Sequence, residues 1–330
     1  MSNKSAVKRI AVMCSGGDSP GMNSAIRAVV RTAIANDLTV YGIRKGYQGL
    51  LENRITELDA SSVGNITQHG GTILQTSRSP RFETEEGRAE AAQNLTALDI
   101  EALVVIGGNG SLNGAYKLHQ EQGIAVAGVP GTIDNDVEGT DYTIGFDTAV
   151  QTAVEAADKI RDTAHAHTRT FVIEVMGRKS PAIALHVGLC TGAENIVLPM
   201  QDESINIDQI ASDIRRGMER GKESSIIIAA EGEKEGISHE IKKSLREQHG
   251  IESRVCILGH IQRGGSPTAY DRFRASQMGF FAVKALIAGE RATVAVARQG
   301  QILTVPLSEC LGKKYFVDPT VLEMVKTLSV

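Results

Sequence analysis

Seven short apolar runs alternate with segments of helical length along this chain, and that alternation leaves few folds open. The runs are Ile10–Cys14, Thr39–Ile43, Ala102–Ile106, Ile124–Val129, Phe171–Val175, Ile226–Ala230 and Val255–Leu258. Between them, segments such as Met22–Ala35, Thr148–Arg161 and Ile207–Arg220 repeat their apolar positions with helical period. Strand–helix–strand units of this kind build mainly parallel sheets covered by helices on both faces. The expected class is therefore α/β. At 330 residues the chain is long enough for about two domains. No Pro/Gly/Ser linker separates them, which is what a chain crossing more than once between two lobes would look like.

Ligands of open α/β sheets bind at the C-terminal ends of the strands, and there the polar and glycine-rich segments collect. Ser15-Gly16-Gly17-Asp18 follows the first run, and Gly107-Gly108-Asn109-Gly110-Ser111 follows the third. Met176-Gly177-Arg178, Glu231 and Gly259 to Pro267 follow later ones. Two Gly-Gly turns that leave strands and enter helices let backbone N–H groups face an anion, which favours a nucleotide polyphosphate site. No Gly-Lys-Ser/Thr follows either turn, so neither is a Walker A loop. Gly108-x-Gly110-x-x-x-Gly114 also permits a dinucleotide reading, but the next strand ends in Val129-Pro130-Gly131 without the acid that would meet a ribose.

Pro130-Gly131-Thr132-Ile133-Asp134-Asn135-Asp136 closes the fourth run. If the backbone stays extended there, Asp134 and Asp136 share one face about 6.6–6.8 Å apart. One carboxylate can then act as a base while the other meets a cation or charged substrate; the alternative is a solvated Asx-type turn. Arg169, Arg178, Arg254, His260 and Arg263 lie beside expected strands, and arginine clamps phosphate bidentately. Glu231 suits sugar hydroxyls.

Other function classes fit poorly. A net charge of −4 without a Lys/Arg block argues against a nucleic-acid surface. No run approaches the ~18 apolar residues of a membrane span. Cys14, Cys190, Cys256 and Cys310 are scattered without a CxxC pair, so neither a zinc site nor a disulfide framework is expected. Three of them sit in or beside apolar runs, where a buried free thiol is the expectation. The polar stretch from Met1 to Arg9 lacks a signal-peptide core, and a reducing, cytoplasmic location is expected.

The motifs resemble those of bacterial-type 6-phosphofructokinases along essentially the whole chain. They are Ser15 to Asn23, Pro130 to Asp136, Gly139 to Phe146, Glu174 to Arg178, and Gly259 to Arg272. The resemblance implies two three-layer lobes with mainly parallel sheets and an active site in the cleft between them. The ATP-binding lobe would comprise 1–144 and 261–312, and the sugar-phosphate lobe 145–260 and 313–330. It implies phosphoryl transfer from ATP to fructose 6-phosphate with Mg²⁺, giving fructose 1,6-bisphosphate. Asp134 would be the base, with Thr132, Asp136 and Arg178 also in the catalytic set. Thr132, Ile133, Asp134, Met176, Gly177, Arg178, Glu231, His260, Ile261, Gln262 and Arg263 would bind the sugar phosphate. Arg169 and Arg254 would reach it from a neighbouring subunit of a homotetramer. Gly17, Tyr47, Arg78, Ser79, Gly108, Asn109, Gly110 and Ser111 match the ATP site. Gly110 stands where the pyrophosphate-using branch typically carries Asp. Arg27, Arg31, Arg161, Glu194, Arg220 and Lys222 match effector contacts.

Four departures from the family pattern stand in the sequence. Asn109 replaces the acid that helps hold Mg²⁺, Gln75 and Pro181 stand where glycine is usual, and Ala60-Ser61 replace a basic and aromatic effector pair. An uncharged Asn is a poorer ligand for a hard cation. These departures keep open a poorly active paralogue that binds sugar phosphate or nucleotide as a regulatory or partner subunit. A kinase related only through the Gly-Gly-x-Gly loop, such as an NAD or lipid kinase, leaves His260 to Arg263 and the Met-Gly-Arg turn unexplained.

Overall fold

A computed structural model describes residues 7–198, 205–232, 236–311, 317 and 319–328. The first half carries β1 (Arg9–Ser15), α1 (Met22–Ile34), β2 (Thr39–Ile43), α2 (Gly46–Leu51), β3 (Ile55–Leu58), α3 (Glu85–Thr96), β4 (Ala102–Gly107), α4 (Asn109–Gln122) and β5 (Ala125–Pro130). Then come α5 (Phe146–Ala166), β6 (Thr170–Val175), α6 (Ala182–Thr191), β7 (Asn195–Val197), α7 (Ile207–Glu219), β8 (Ser225–Ala230), α8 (Ile237–His249) and β9 (Ser253–Ile257). The chain closes with α9 (Ala269–Ile287), β10 (Thr293–Arg298), β11 (Gln301–Pro306) and α10 (Pro319–Leu328).

Two compact units result. One takes the described residues up to Thr148 and those from Arg263 to 311; the other runs from Ala149 to Gln262 and adds the C-terminal helix. The first unit is built on a seven-stranded sheet in the order β11-β10-β5-β4-β1-β2-β3. Its central strands pair in parallel, and β3 and β11 are antiparallel edges. Ile10–Cys14 and Ala102–Ile106 are fully buried, as continuous apolar runs covered on both faces must be. The chain leaves β1 toward β2 on one side and returns to β4 on the other. The crevice at the C-terminal ends of β1 and β4 is therefore the switch point where such sheets bind ligands.

The second unit holds a four-stranded, all-parallel sheet, β7-β8-β6-β9. Asn206 caps α7, its side chain accepting from the Gln209 N–H at 2.9 Å. One stripe of that helix, Ile210, Ala211 and Ile214, packs with Val172, Ile227, Ile241 and Leu245. Each buried aliphatic side chain there stabilises the unit by about 1.5–3 kcal/mol.

Cys14 and Cys310 are buried free thiols, whereas Cys256 is half-buried and Cys190 is exposed, correcting the expectation of three buried ones. Among the described residues no helix is long and apolar enough to cross a membrane.

Candidate active site

Backbone from three strands of the first unit meets at the switch point. A Cβ on Gly107 would lie 2.5 Å from the Ser15 carbonyl, so only glycine lets β4 approach β1 this closely. Gly108 caps α4 in an extended conformation without a side-chain cap, leaving the first N–H groups of a fourteen-residue helix for an anion. The Cα of Gly108 faces Thr132, whose Cβ would be 3.4 Å from an added Cβ. Gly16 faces the Ser111 hydroxyl in the same way, at 3.0 Å. The Gly17 backbone lies against the Arg263 guanidinium, which donates to the Asp18 carbonyl at 3.0 Å. The structure thus brings Gly17, Gly108, Asn109, Gly110, Ser111, Thr132 and Arg263 together.

Other expected ATP-site residues sit behind or beside this surface. Tyr47 is buried, stacks on Phe82 at 3.7 Å and donates its hydroxyl to the Ser111 carbonyl at 2.6 Å. Burial pushes its phenol well above the usual tyrosine range, so it remains a neutral donor that props the start of α4. The Ser79 hydroxyl donates to Gln48 at 2.8 Å and accepts from the Phe82 N–H. Arg78 is exposed. Gln75 adopts φ 58, the left-handed backbone at which glycine is cheapest.

Asp134 and Asp136 do not share the face of an extended strand. The strand ends at Pro130, residues 133–134 form a turn, and Asn135 takes φ 47. The Thr132 hydroxyl captures the Asp134 N–H at 3.2 Å, a local bond that competes with extended pairing. The turn is tied to the chain beyond it: Thr132 N–H donates to Ile144 O at 3.1 Å, and Ile144 N–H to Pro130 O at 2.9 Å. Thr143 Oγ1 donates to Thr132 O at 2.7 Å. Burial raises the Asp136 carboxyl above the ordinary aspartate range, offset in part by its own backbone N–H and the Asn109 amide. Asn109 Nδ2 donates to the Asp136 carbonyl at 3.1 Å. Among the described residues no cluster of three or more His, Cys, Asp or Glu could hold a metal alone.

In the second unit, Met176-Gly177-Arg178 leaves the C-terminal end of β6. Gly177 takes φ 147, and a Cβ there would lie 2.5 Å from the Ser180 carbonyl. Arg178 follows at φ 47, an uncommon value for a non-glycine residue. Pro181 caps α6, a place where its missing N–H costs little. Glu231 leaves the end of β8 and accepts from the Gly177 N–H at 3.4 Å. His260 and Ile261 are exposed after β9.

Other expected sugar-phosphate residues are buried or stand at the far ends of their strands. Gln262 is fully buried and accepts from the Met176 N–H at 2.8 Å, so it supports the Met176 turn from behind. Ile133 is likewise fully buried. Arg169 and Arg254 stand at the N-terminal ends of β6 and β9, not at the ligand-binding C-terminal ends. Met176 lies seven strand steps from Arg169 and five from Phe171, the partner of Arg254, spans of about 23 and 17 Å.

The expected effector residues divide between the units. Arg27 and Arg31 are exposed on α1. In the second unit Arg161 Nη2 donates to Thr191 O at 2.6 Å, and Arg220 caps the end of α7. Buried Glu194 accepts from Ile226 N–H at 2.7 Å and from Lys222 Nζ at 3.3 Å.

One set escaped the sequence reading. Buried Asp271 gathers Tyr142, Gly145 and Thr148. Asp271, Tyr142 and Gly145 lie within the motifs that carry the resemblance, but nothing local in the sequence pairs them; Thr268, three residues before Asp271, reads only as a helix cap.

A doubly wound sheet with glycine-lined backbone at its switch point defines an α/β protein whose open helix N-terminus can receive an anion. The Phosphofructokinase family pattern matches residues 9–286, and the chain belongs to that family. A Bacillus subtilis (strain 168) protein named ATP-dependent 6-phosphofructokinase is 51% identical over 324 residues, covering 98% of this chain and all of its own. The like-named protein of Bacillus pumilus is 50% identical with the same coverage. Among solved structures, phosphofructokinase from Saccharomyces cerevisiae superposes with TM-score 0.85 at 36% identity, covering 97% of this chain and 46% of the longer yeast chain. A pyrophosphate-dependent phosphofructokinase from Marinobacter aquaeolei gives TM-score 0.82 at 22% identity over 98% of this chain and 91% of its own, a likeness of fold alone.

Proposed function

We infer that this protein transfers the γ-phosphoryl group of ATP to the 1-hydroxyl of fructose 6-phosphate, giving fructose 1,6-bisphosphate and ADP. The observation that carries this reading is the full-length identity of about half to relatives named for that activity, in a chain that keeps Thr132, two residues before Asp134, against Gly108. Phosphoryl transfer asks mainly for positioning and charge stabilisation. The N–H groups of Gly17 and of Asn109 to Ser111 would cradle the phosphates. Arg263, anchored on the Asp18 carbonyl, would add charge beside them. Asp134 would take the hydroxyl proton as general base. Met176, Gly177, Arg178, Glu231 and His260 would hold the sugar phosphate, with Gln262 fixing the Met176 turn.

The residues fit a Mg²⁺ that keeps waters and takes phosphate oxygens, since that ion needs only one or two protein groups. The Asp136 carboxylate and the Asn109 side-chain oxygen would hold it, the amide nitrogen being engaged by Asp136. Bound there, the ion would neutralise charge on the β- and γ-phosphates.

The positions of Arg169 and Arg254 support sites shared within a homotetramer. They lie a strand's length from the Met176 turn of their own chain, so a neighbouring copy would supply them. The scattered free cysteines support a cytoplasmic location. A second reading, a poorly active regulatory or partner subunit, is favoured by Asn109 alone. A coupled assay of purified protein with fructose 6-phosphate and Mg²⁺ decides: turnover with ATP and little with pyrophosphate supports the kinase. Turnover with pyrophosphate alone removes the ATP assignment, and turnover with neither, despite ligand binding, favours the regulatory reading.

A further inference from the structure

We propose that Asp271 is a positioning residue for phosphoryl transfer, its carboxylate fixing the chain segment that carries Asp134; this rests on the kinase reading above. Asp271 is fully buried in the first turn of α9 and touches no ligand surface. Its Oδ1 accepts from the Tyr142 hydroxyl and, at 2.5 Å, from the Gly145 N–H. Its Oδ2 accepts from the Thr148 N–H at 2.8 Å and the Thr148 hydroxyl at 2.5 Å. Four donors fill the acceptor capacity of one carboxylate. All four come from residues 142–148, on either side of the peptides that pair with the catalytic turn. Ile144 bonds Pro130 and Thr132, and Thr143 bonds Thr132, two residues before Asp134. Only that one layer of backbone separates the Asp271 carboxylate from the turn.

A carboxylate taken out of water is costly unless its oxygens are well occupied. Here the occupation is specific in direction as well as number. The Thr268 hydroxyl caps the Asp271 N–H at 3.2 Å and donates to Asp147 at 2.6 Å, and Thr268 N–H donates to Thr148 Oγ1 at 3.0 Å. Helix α9, the start of α5 and the catalytic turn therefore share one network in which the central acceptor has no freedom to rotate. Asn at position 271 would keep the volume but aim an NH₂ group at two donors, pushing either Tyr142 and Gly145 or Thr148 away. The displaced peptide would move Thr132 and Asp134, while the β1 and β4 loops that face the phosphates make no bond to this carboxylate.

The test compares wild type, Asp271→Asn and Tyr142→Phe, measuring kcat, both KM values and hydrogen–deuterium exchange of peptides spanning 130–148. Misplacing a reacting group by about 1 Å costs on the order of 10²-fold. The expected result for Asp271→Asn is a kcat lower by about 10–100-fold, a KM for ATP within about threefold of wild type, and faster exchange in 130–148. Tyr142→Phe should shift kcat and exchange in the same direction by a smaller factor. A kcat within about twofold of wild type in Asp271→Asn would overturn the proposal. So would a loss of kcat without faster exchange, or one matched by an equal loss of ATP affinity. If Asp271→Asn does not fold, Tyr142→Phe carries the test, and unchanged kcat and exchange there overturn it. If wild type forms no fructose 1,6-bisphosphate, the kinase reading fails by itself, and the exchange comparison still decides whether Asp271 holds the turn.

Discussion

Asn109 is where a single atom separates two outcomes. Its amide donates to the Asp136 carbonyl, so replacing it by Asp removes a hydrogen bond of about 0.5–1.5 kcal/mol and adds a carboxylate next to the phosphate surface. Mg²⁺ takes few protein ligands, so the carboxylate should dominate. Asn109→Asp should lower the Mg²⁺ needed for half-maximal rate and raise turnover about tenfold for each ~1.4 kcal/mol gained at the transition state. An unchanged Mg²⁺ dependence in an active enzyme would show that the lost carboxylate is compensated. Cys14, two strand residues before Gly16, reports on the same region by its silence. Burial pushes its thiol up to about 12, despite a bond from Thr72. A raised value favours the neutral form in the fold. Its contribution to stability is whole below the ordinary thiol range and is lost as pH rises toward 12. The neutral thiol of Cys14 is favoured at pH 8, so a thiol reagent should label exposed Cys190 in the native protein and reach buried Cys14 only on unfolding. Rapid native labelling of Cys14 would contradict the burial of β1. The placement of glycines after apolar runs was legible because turn chemistry is local. The bonds of Asp271 were not. An acid in the first turn of a helix reads as a solvated partner of the helix dipole, and its burial arises from residues more than 120 positions away.

Helix α4 shows how an element makes a site. Gly108 starts it, Tyr47 props its first turn, and a Cβ on Gly110 would meet nothing within 4 Å. Gly110→Asp should therefore leave the melting temperature unchanged, since an acid near a helix N-terminus is tolerated or mildly stabilising. It should raise the KM for ATP by at least about tenfold by placing charge where the phosphates would lie. A fall in melting temperature with unchanged KM would place Gly110 in the fold instead of the site. Strands β1, β2, β4, β5, β6, β8 and β9 were legible as dense apolar runs. The edge strand β3 has four residues, two of them exposed, and β7 has three, so neither has a pattern long enough to read. In β10, Thr-Val-Ala-Val-Ala-Arg, alanine dilutes the strand signal. The turn at 133–134 was one of two readings left open, because the pairing of Thr132 with Ile144 that accompanies it lies outside the motif.

At the scale of the whole molecule, Arg169 and Arg254 lie at the wrong end of their own sheet for the site they match. If neighbouring subunits supply them, a mixture of Arg169→Ala and Asp134→Asn proteins should regain part of the wild-type activity after subunit exchange. No recovery, with exchange demonstrated by mass, would confine the substrate contacts to one chain. The proposed mechanism turns on Asp134 as the group that takes the sugar proton, and one paired measurement reaches it. Turnover and calorimetric binding of ATP and fructose 6-phosphate are determined for wild type and Asp134→Asn, a change that keeps size and removes the acceptor. If Asp134 is the base, turnover falls by about 10²–10⁴-fold with both ligands still bound; turnover near that of wild type would contradict this role.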